Sequence, residues 1–293
     1  MSIFQGSAVA IITPFFEDGS VNYPVLEELI EMHIQNHTDA IVIAGTTGES
    51  SVMTDDDQIE VIRFTVEKVN KRIPVIAGTG SNVTAHAIEL AQRAEAAGVD
   101  GLLIVTPYYN KSTQAGLIQH YTAIAKSVHT PIILYSVASR TGVNIAPATV
   151  KALSQVENIV GIKEASGDLS QIAQIAQLCG PDFDIYSGND DQTLPMLALG
   201  AKGVISVLAN VAPKTVHDIC QNFFDGNVAE SRRLFLDYLH LANTLFIEVN
   251  PVPVKAAMNL MGYAAGPTVP PLFPMEEANL EKLKDALRAH QLI

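Results

Sequence analysis

The apolar run Ile159–Lys163 ends on a lysine, and a lysine so placed can do nucleophilic chemistry. β-Branched residues flank Gly161, and the run is entered from Glu157-Asn158 and left through Ser166-Gly167-Asp168. These features read as a buried strand ending at Lys163. Strand alternation places Ile159, Gly161 and Lys163 on one face, with Gly161 leaving room beneath the lysine. Desolvation at the mouth of an apolar pocket favours a neutral amine over an ammonium, and the neutral amine is the form that attacks a carbonyl. The competing reading is a lysine whose stem lies along the apolar surface while its head reaches water.

Other groups able to do chemistry follow similar short apolar runs. Gly45-Thr46-Thr47-Gly48-Glu49-Ser50 combines glycines, which let a backbone approach a ligand, with hydroxyls and loop N–H groups that can hold a carboxylate. Thr106-Pro107-Tyr108-Tyr109-Asn110 holds two of the chain's 8 tyrosines. Tyr135 and Arg140 stand in Leu134–Gly142, where each alone would be structural or solvated. Ser187-Gly188-Asn189-Asp190-Asp191 carries an acidic pair that would bind a metal or, more simply, cap the following helix. Ile205, within Gly203–Val207, is placed to line a pocket floor. His33, His37, His86 and His120 have no H-x-x-x-H or triad spacing, so they read as structural or surface groups, and no metal site is expected.

The elements that must position these residues are short and regular. Apolar runs at Ala8–Thr13, Ala40–Ala44, Pro74–Ala77, Gly101–Val105, Ile132–Tyr135, Ile159–Lys163, Asp184–Tyr186 and Gly203–Val207 read as strands. Tyr23–Gln35, Asp55–Val69, Ala85–Ala97, Gln114–Val128, Ile172–Leu178 and Gln192–Leu199 read as helices between them, with Pro213–Phe224 the last of the series. That alternation predicts an α/β protein of the (β/α)8 TIM-barrel type, whose chemistry sits at the carboxyl ends of the strands. A doubly wound open sheet is the alternative, weakened by the lack of a G-x-G-x-x-G followed by a suitably placed acid. Val228–Leu245, Val254–Met261 and Met275–His290 read as helices with no strand among them. The expected organisation is a catalytic barrel over 1–224 and a helical extension over 225–293 packed on it.

Composition narrows the class. Of the 293 residues 48% are hydrophobic and 17% charged, which excludes a disordered chain. A net charge of −13 argues against nucleic acid and anionic membranes as partners. No apolar run approaches the roughly 20 residues of a membrane span. Met1–Gly6 lacks the regions of a signal peptide, and Cys179 and Cys220 read as reduced thiols of a cytoplasmic protein. An anionic substrate would need a local cation in so acidic a chain.

Five segments, taken together and in order, carry a resemblance: Gly45–Ser50, Thr106–Asn110, Ser139-Arg140-Thr141-Gly142, Gly161-Ile162-Lys163-Glu164-Ala165-Ser166 and Asn250-Pro251-Val252-Pro253-Val254-Lys255. Over essentially its whole length the chain resembles the dihydrodipicolinate synthase family of pyruvate-dependent class I aldolases. The resemblance implies that Lys163 forms a Schiff base with pyruvate, so no separate cofactor is needed. The derived enamine would attack aspartate semialdehyde, giving 4-hydroxy-tetrahydrodipicolinate in the first committed step of lysine and diaminopimelate biosynthesis. It further implies that Tyr135, Thr46 and Tyr109 relay protons; a phenol holds its proton at neutral pH, so its neighbours must help it pass one. Thr47, Ile205 and Gly188 match substrate-holding positions, and Arg140 matches the guanidinium that receives the second substrate's carboxylate. Tyr109 would cross into a neighbouring subunit, implying a homodimer or a tetramer of two dimers.

Two departures from the family pattern stand out. Tyr135-Ser136-Val137-Ala138 replaces the usual Tyr-Asn-Val-Pro, and losing the proline frees about 0.4–1 kcal/mol of chain entropy in the loop that aims Arg140. Altered kinetics are expected, with the same reaction. Asp55, Gln58 and His86 occupy positions that in lysine-inhibited members hold a His pair and a carboxylate, although Asn82 and Tyr108 are kept. Feedback by lysine is therefore expected to be weak or absent. Rival readings are a sister lyase acting on N-acetylneuraminate or a keto-deoxy sugar acid, and a non-catalytic paralogue. Thr46-Thr47 with Arg140 favours the synthase over the first, and the complete constellation disfavours the second.

Overall fold

The expected alternation closes on itself. In the computed structural model, which describes residues 2–293, the strands are β1 (Gly6–Ala10), β2 (Ala40–Ile43), β3 (Val75–Gly78), β4 (Gly101–Val105), β5 (Ile132–Ser136), β6 (Ile159–Glu164), β7 (Asp184–Ser187) and β8 (Gly203–Ser206). Each pairs in parallel with the next, and β8 pairs with β1, forming a closed barrel. Met1, where the leader reading starts, lies outside the described residues. The strands are buried on both faces, which is why they read as near-continuous apolar runs.

Burial on two faces creates two cores. The outer one, between strands and helices, takes Ile41, Ile43, Ile104, Leu134, Ile162 and Val204. The inner one mixes small residues (Ala8, Ala10, Ala40) with Ile133, Tyr135, Tyr186 and Ile205. Phe4 closes the amino end by stacking on Tyr186, with ring centroids 4.3 Å apart. The Tyr186 hydroxyl donates to the Phe4 carbonyl at 2.8 Å.

The β6 strand departs from simple alternation, and this corrects the sequence reading. Ile132 pairs with Ile159, but Ile133 pairs with Gly161, so Val160 is an extra residue on β6. The bulge turns Ile159 into the outer core with Ile162, leaving only Gly161 and Lys163 in phase with the inward Ile133 and Tyr135. Nor does the space at Gly161 lie beneath the lysine. A Cβ there would stand 2.6 Å from the Asp184 carbonyl, so the missing side chain serves the approach of β7.

The helices Tyr23–Gln35, Asp55–Val69 and Pro213–Phe224 have the expected ends. A single turn at Ala138–Thr141 and a helix at Pro147–Leu153 go beyond the sequence reading. Neither is long enough to display a helical repeat. The tail forms the helices Val228–Thr244, Val252–Leu260 and Glu277–Ala289. Leu241, Val254, Met258 and Leu283 from these helices join the outer core of the barrel. A cavity of about 370 Å³ opens at the amino ends of the strands, bordered by Ile73, Pro74, Asp100 and Pro131. The residues with candidate chemistry gather at the opposite end.

Candidate active site

β6 carries Lys163 into the barrel, where the side chain is 6% exposed. Tyr135 on β5 is its register partner, and the Lys163 Nζ lies 4.3 Å from the centre of the Tyr135 ring. That is the geometry of a cation held over an aromatic face. Ile205, fully buried, belongs to the same inner cluster as Tyr135. Gly188 follows β7 and stands against the lysine stem. A Cβ at Gly188 would lie 2.7 Å from Ala165 Cβ, 3.1 Å from the Glu164 carbonyl and 3.2 Å from Lys163 Cε. Only a residue without a side chain leaves the lysine its place.

Thr46 and Thr47 come from the loop after β2. Thr46 is half-buried and its carbonyl accepts from the Glu49 N–H at 3.1 Å, while Thr47 is buried. A buried ion pair braces this loop: Lys255 Nζ lies 2.9 Å from Glu49 Oε1, and Glu49 Oε2 accepts from the Val269 N–H at 3.0 Å. Lys255 also donates to the Pro267 carbonyl. Burial holds the Lys255 ammonium below the usual lysine range even with Glu49 opposing it. Both partners of Glu49 belong to the C-terminal segment, so that segment fixes the backbone carrying the two threonines.

Arg140 lies in the exposed turn after β5, and its Nη2 donates to the Asn250 carbonyl at 2.9 Å. The Asn250 side chain donates from Nδ2 to Thr47 Oγ1 at 3.0 Å. Two hydrogen bonds thus run from the arginine to the threonine through one buried residue. Behind the turn, Ser136 donates to Asn144 Oδ1 at 3.1 Å and accepts from the Ile145 N–H at 3.3 Å. Asn144 donates to Gln171 at 2.6 Å, and Gln171 donates to Glu164 Oε2 at 2.9 Å. Burial raises the Glu164 carboxyl above the usual range, opposed by these bonds and by that from the Ser166 N–H. The hydroxyl at 136 therefore anchors the segment that aims Arg140.

Tyr109 is the expected site residue that the structure leaves outside this pocket. It is 93% exposed, with a φ of +68° that costs a residue other than glycine about 1–3 kcal/mol. Asp190 caps a turn, but not that of its own helix. Its carboxylate accepts from the Ser206 hydroxyl and from the Val207 and Leu208 N–H groups at 3.0 and 2.9 Å, because β7 and β8 are neighbours. Its burial raises the carboxyl, against those hydrogen bonds. Asp55 and His86 are joined at 2.9 Å, His86 also meets Ser81 at 3.0 Å, and Gln58 donates to the Gly78 carbonyl at 2.8 Å. Sequence reasoning missed the roles of Glu49, Lys255 and Asn250. Their segments stood among the recognisable motifs, but their partners are some 200 residues away in the chain.

A closed parallel barrel that gathers an amine, a phenol and a guanidinium at the carboxyl ends of its strands has the architecture of a (β/α)8 enzyme. The model of the dihydrodipicolinate synthetase family matches residues 3–290, and the chain belongs to that family. It is 57% identical over 293 residues to 4-hydroxy-tetrahydrodipicolinate synthase 1 of Clostridium acetobutylicum, covering 100% of each chain. Its fold is similar to the lysine-bound dihydrodipicolinate synthase of Cyanidioschyzon merolae, with a TM-score of 0.97, 40% identity and 100% of each chain covered. It is equally similar to a monomeric dihydrodipicolinate synthase variant, with a TM-score of 0.97, 41% identity, and 99% of this chain and 98% of that one covered.

Proposed function

We infer that this chain condenses pyruvate with L-aspartate 4-semialdehyde to 4-hydroxy-tetrahydrodipicolinate, in lysine and diaminopimelate biosynthesis. The observation that carries the reading is Lys163, buried inside the barrel with its amine against the Tyr135 ring, in a chain that matches a named synthase over its full length. The Lys163 amine adds to the keto carbon of pyruvate, and loss of water leaves a protonated imine. The imine makes the methyl group acidic, and removal of a methyl proton gives the enamine. The enamine carbon attacks the aldehyde carbon, whose oxygen takes up a proton. The amino group of the condensed chain then adds to the imine carbon and displaces the lysine, closing the ring and restoring the free amine. No separate cofactor enters this sequence.

Tyr135, with Thr46 and Tyr109, carries the protons of these steps. Thr47, Ile205 and Gly188 hold pyruvate, and Arg140 takes the carboxylate of the semialdehyde through its planar fork. Arg140 supplies the local cation that an anionic substrate needs in a chain of net charge −13. The exposure and left-handed backbone of Tyr109 support a reading in which it completes the site of a second copy, so the enzyme works as a homodimer or as a tetramer of dimers. Residues 1–224 form the catalytic barrel and 225–293 an extension packed on it. A cytoplasmic location accords with the free cysteines Cys179 and Cys220. Among the described residues no helix is long and apolar enough to cross a membrane.

Borohydride reduction in the presence of pyruvate, followed by mass spectrometry, tests the reading. A reduced pyruvyl adduct on Lys163 is expected, and none in Lys163→Arg. Wild-type protein without an adduct, or undiminished turnover in Lys163→Ala, overturns it.

A further inference from the structure

We propose that Asn250 is the positioning residue that fixes Thr47 as a hydrogen-bond donor toward the pyruvate carboxylate while holding Arg140 for the second substrate. The proposal rests on the function inferred above and goes on to the side chain's part in it. Asn250 is 5% exposed, and its two polar contacts are divided between backbone and side chain. The carbonyl accepts from Arg140 Nη2 at 2.9 Å, and the amide Nδ2 donates to Thr47 Oγ1 at 3.0 Å.

A hydroxyl has one proton and two lone pairs. Once Thr47 Oγ1 accepts from an amide N–H, its own proton must be spent elsewhere, so the hydroxyl faces the pocket as a donor. A donor is what an incoming carboxylate requires. At the other end of the amide, Oδ1 is buried with no hydrogen-bond partner among the described residues. A buried acceptor without a donor costs stability, and polar groups left in that condition gather where function holds them. Packing alone would be better served by an apolar residue. The division of labour makes a specific demand: the side chain governs pyruvate, and the backbone carbonyl governs the semialdehyde.

The experiment measures KM for each substrate and kcat in Asn250→Ala, Asn250→Asp, Thr47→Val and the double variant Asn250→Ala/Thr47→Val. Losing one oriented hydrogen bond raises the pyruvate KM about tenfold in Asn250→Ala, with the semialdehyde KM within about twofold of wild type. In the Thr47→Val background the same substitution has no further effect, because the shared bond is already gone. Asn250→Asp keeps the shape but captures the Thr47 proton and sets a negative charge beside pyruvate, so it raises the pyruvate KM more than alanine does. This isostere carries the test if the alanine variant does not fold. Equal changes in both KM values, additive effects in the double variant, or an unchanged pyruvate KM in Asn250→Asp would overturn the proposal. Trapping of the pyruvyl adduct in wild-type protein is run alongside. Its absence counts against the inferred reaction itself, whereas an adduct with indifferent Asn250 variants counts against Asn250 alone.

Discussion

Gly188→Ala puts the fit around Lys163 to the test. The added Cβ would stand 2.7 Å from Ala165 Cβ, where ordinary contact begins at 3.4 Å, and 3.1 Å from the Glu164 carbonyl. Neither neighbour yields readily. Glu164 and Ala165 continue the β6 backbone, and the Glu164 carbonyl already accepts the Gly188 N–H at 2.8 Å. The soft contact is Lys163 Cε at 3.2 Å, the flexible stem of the proposed nucleophile. Moving the stem relieves only that contact, and relieving the two closer ones shifts the backbone at the end of β6, so either response displaces the Lys163 amine. Displacing a reacting group by about 1 Å costs on the order of 10²-fold in rate, whereas overpacking costs the fold about 1–3 kcal/mol. We expect kcat for the condensation to fall about 10²-fold, adduct formation on Lys163 to slow with it, and the urea midpoint to drop modestly. A kcat within about threefold of wild type in a folded Gly188→Ala protein would refute the steric argument.

Lys255→Met leaves the Glu49 carboxylate buried and unpaired, and should lower unfolding free energy by about 3–5 kcal/mol in denaturant titration. Adding Glu49→Gln should recover part of that loss; no recovery would show that the pairing is not what Lys255 contributes. His33 is fully buried against Thr38, and burial pushes its imidazole from 6.5 down to about 3. The unfolded chain binds that proton near pH 6.5 and the folded one only near 3, so this stability is complete above pH 6.5 and is lost as pH falls toward 3. At pH 5 the loss should be about 2 kcal/mol, and it should disappear in His33→Asn; parallel pH profiles for the two proteins would contradict it. Lysine should inhibit weakly or not at all, because the paired Asp55 and His86 stand where lysine-inhibited members hold other groups. Strong inhibition at submillimolar lysine in a steady-state assay would refute that.

Much of the barrel was legible in the chain itself. Parallel strands buried on both faces must be short apolar runs, and eight such runs with helical spacing between them have few ways to close. Lys163 stood out because it ends such a run, whereas Tyr135, Thr47, Arg140 and Gly188 were singled out by the family resemblance, at the end of the barrel where loops carry chemistry. Local pattern does not record pairing between strands, however. The extra residue at Val160 appears only when β6 is laid against β5, and it takes Ile159 off the lysine's face. The same holds for Asp190, whose partners lie on the turn after β8.

Tertiary structure alone decided how the rim is held in place. Asn250 meets Thr47 across 203 residues, and Lys255 meets Glu49 across 206. No spacing rule spans such distances, because a side chain's neighbours follow local periodicity only within its own helix or strand pair. The sequence by itself determined which groups are available and at which end of the barrel they gather. Folding determined their partners, because burial drives charges and amides at the rim toward counterparts wherever the chain returns.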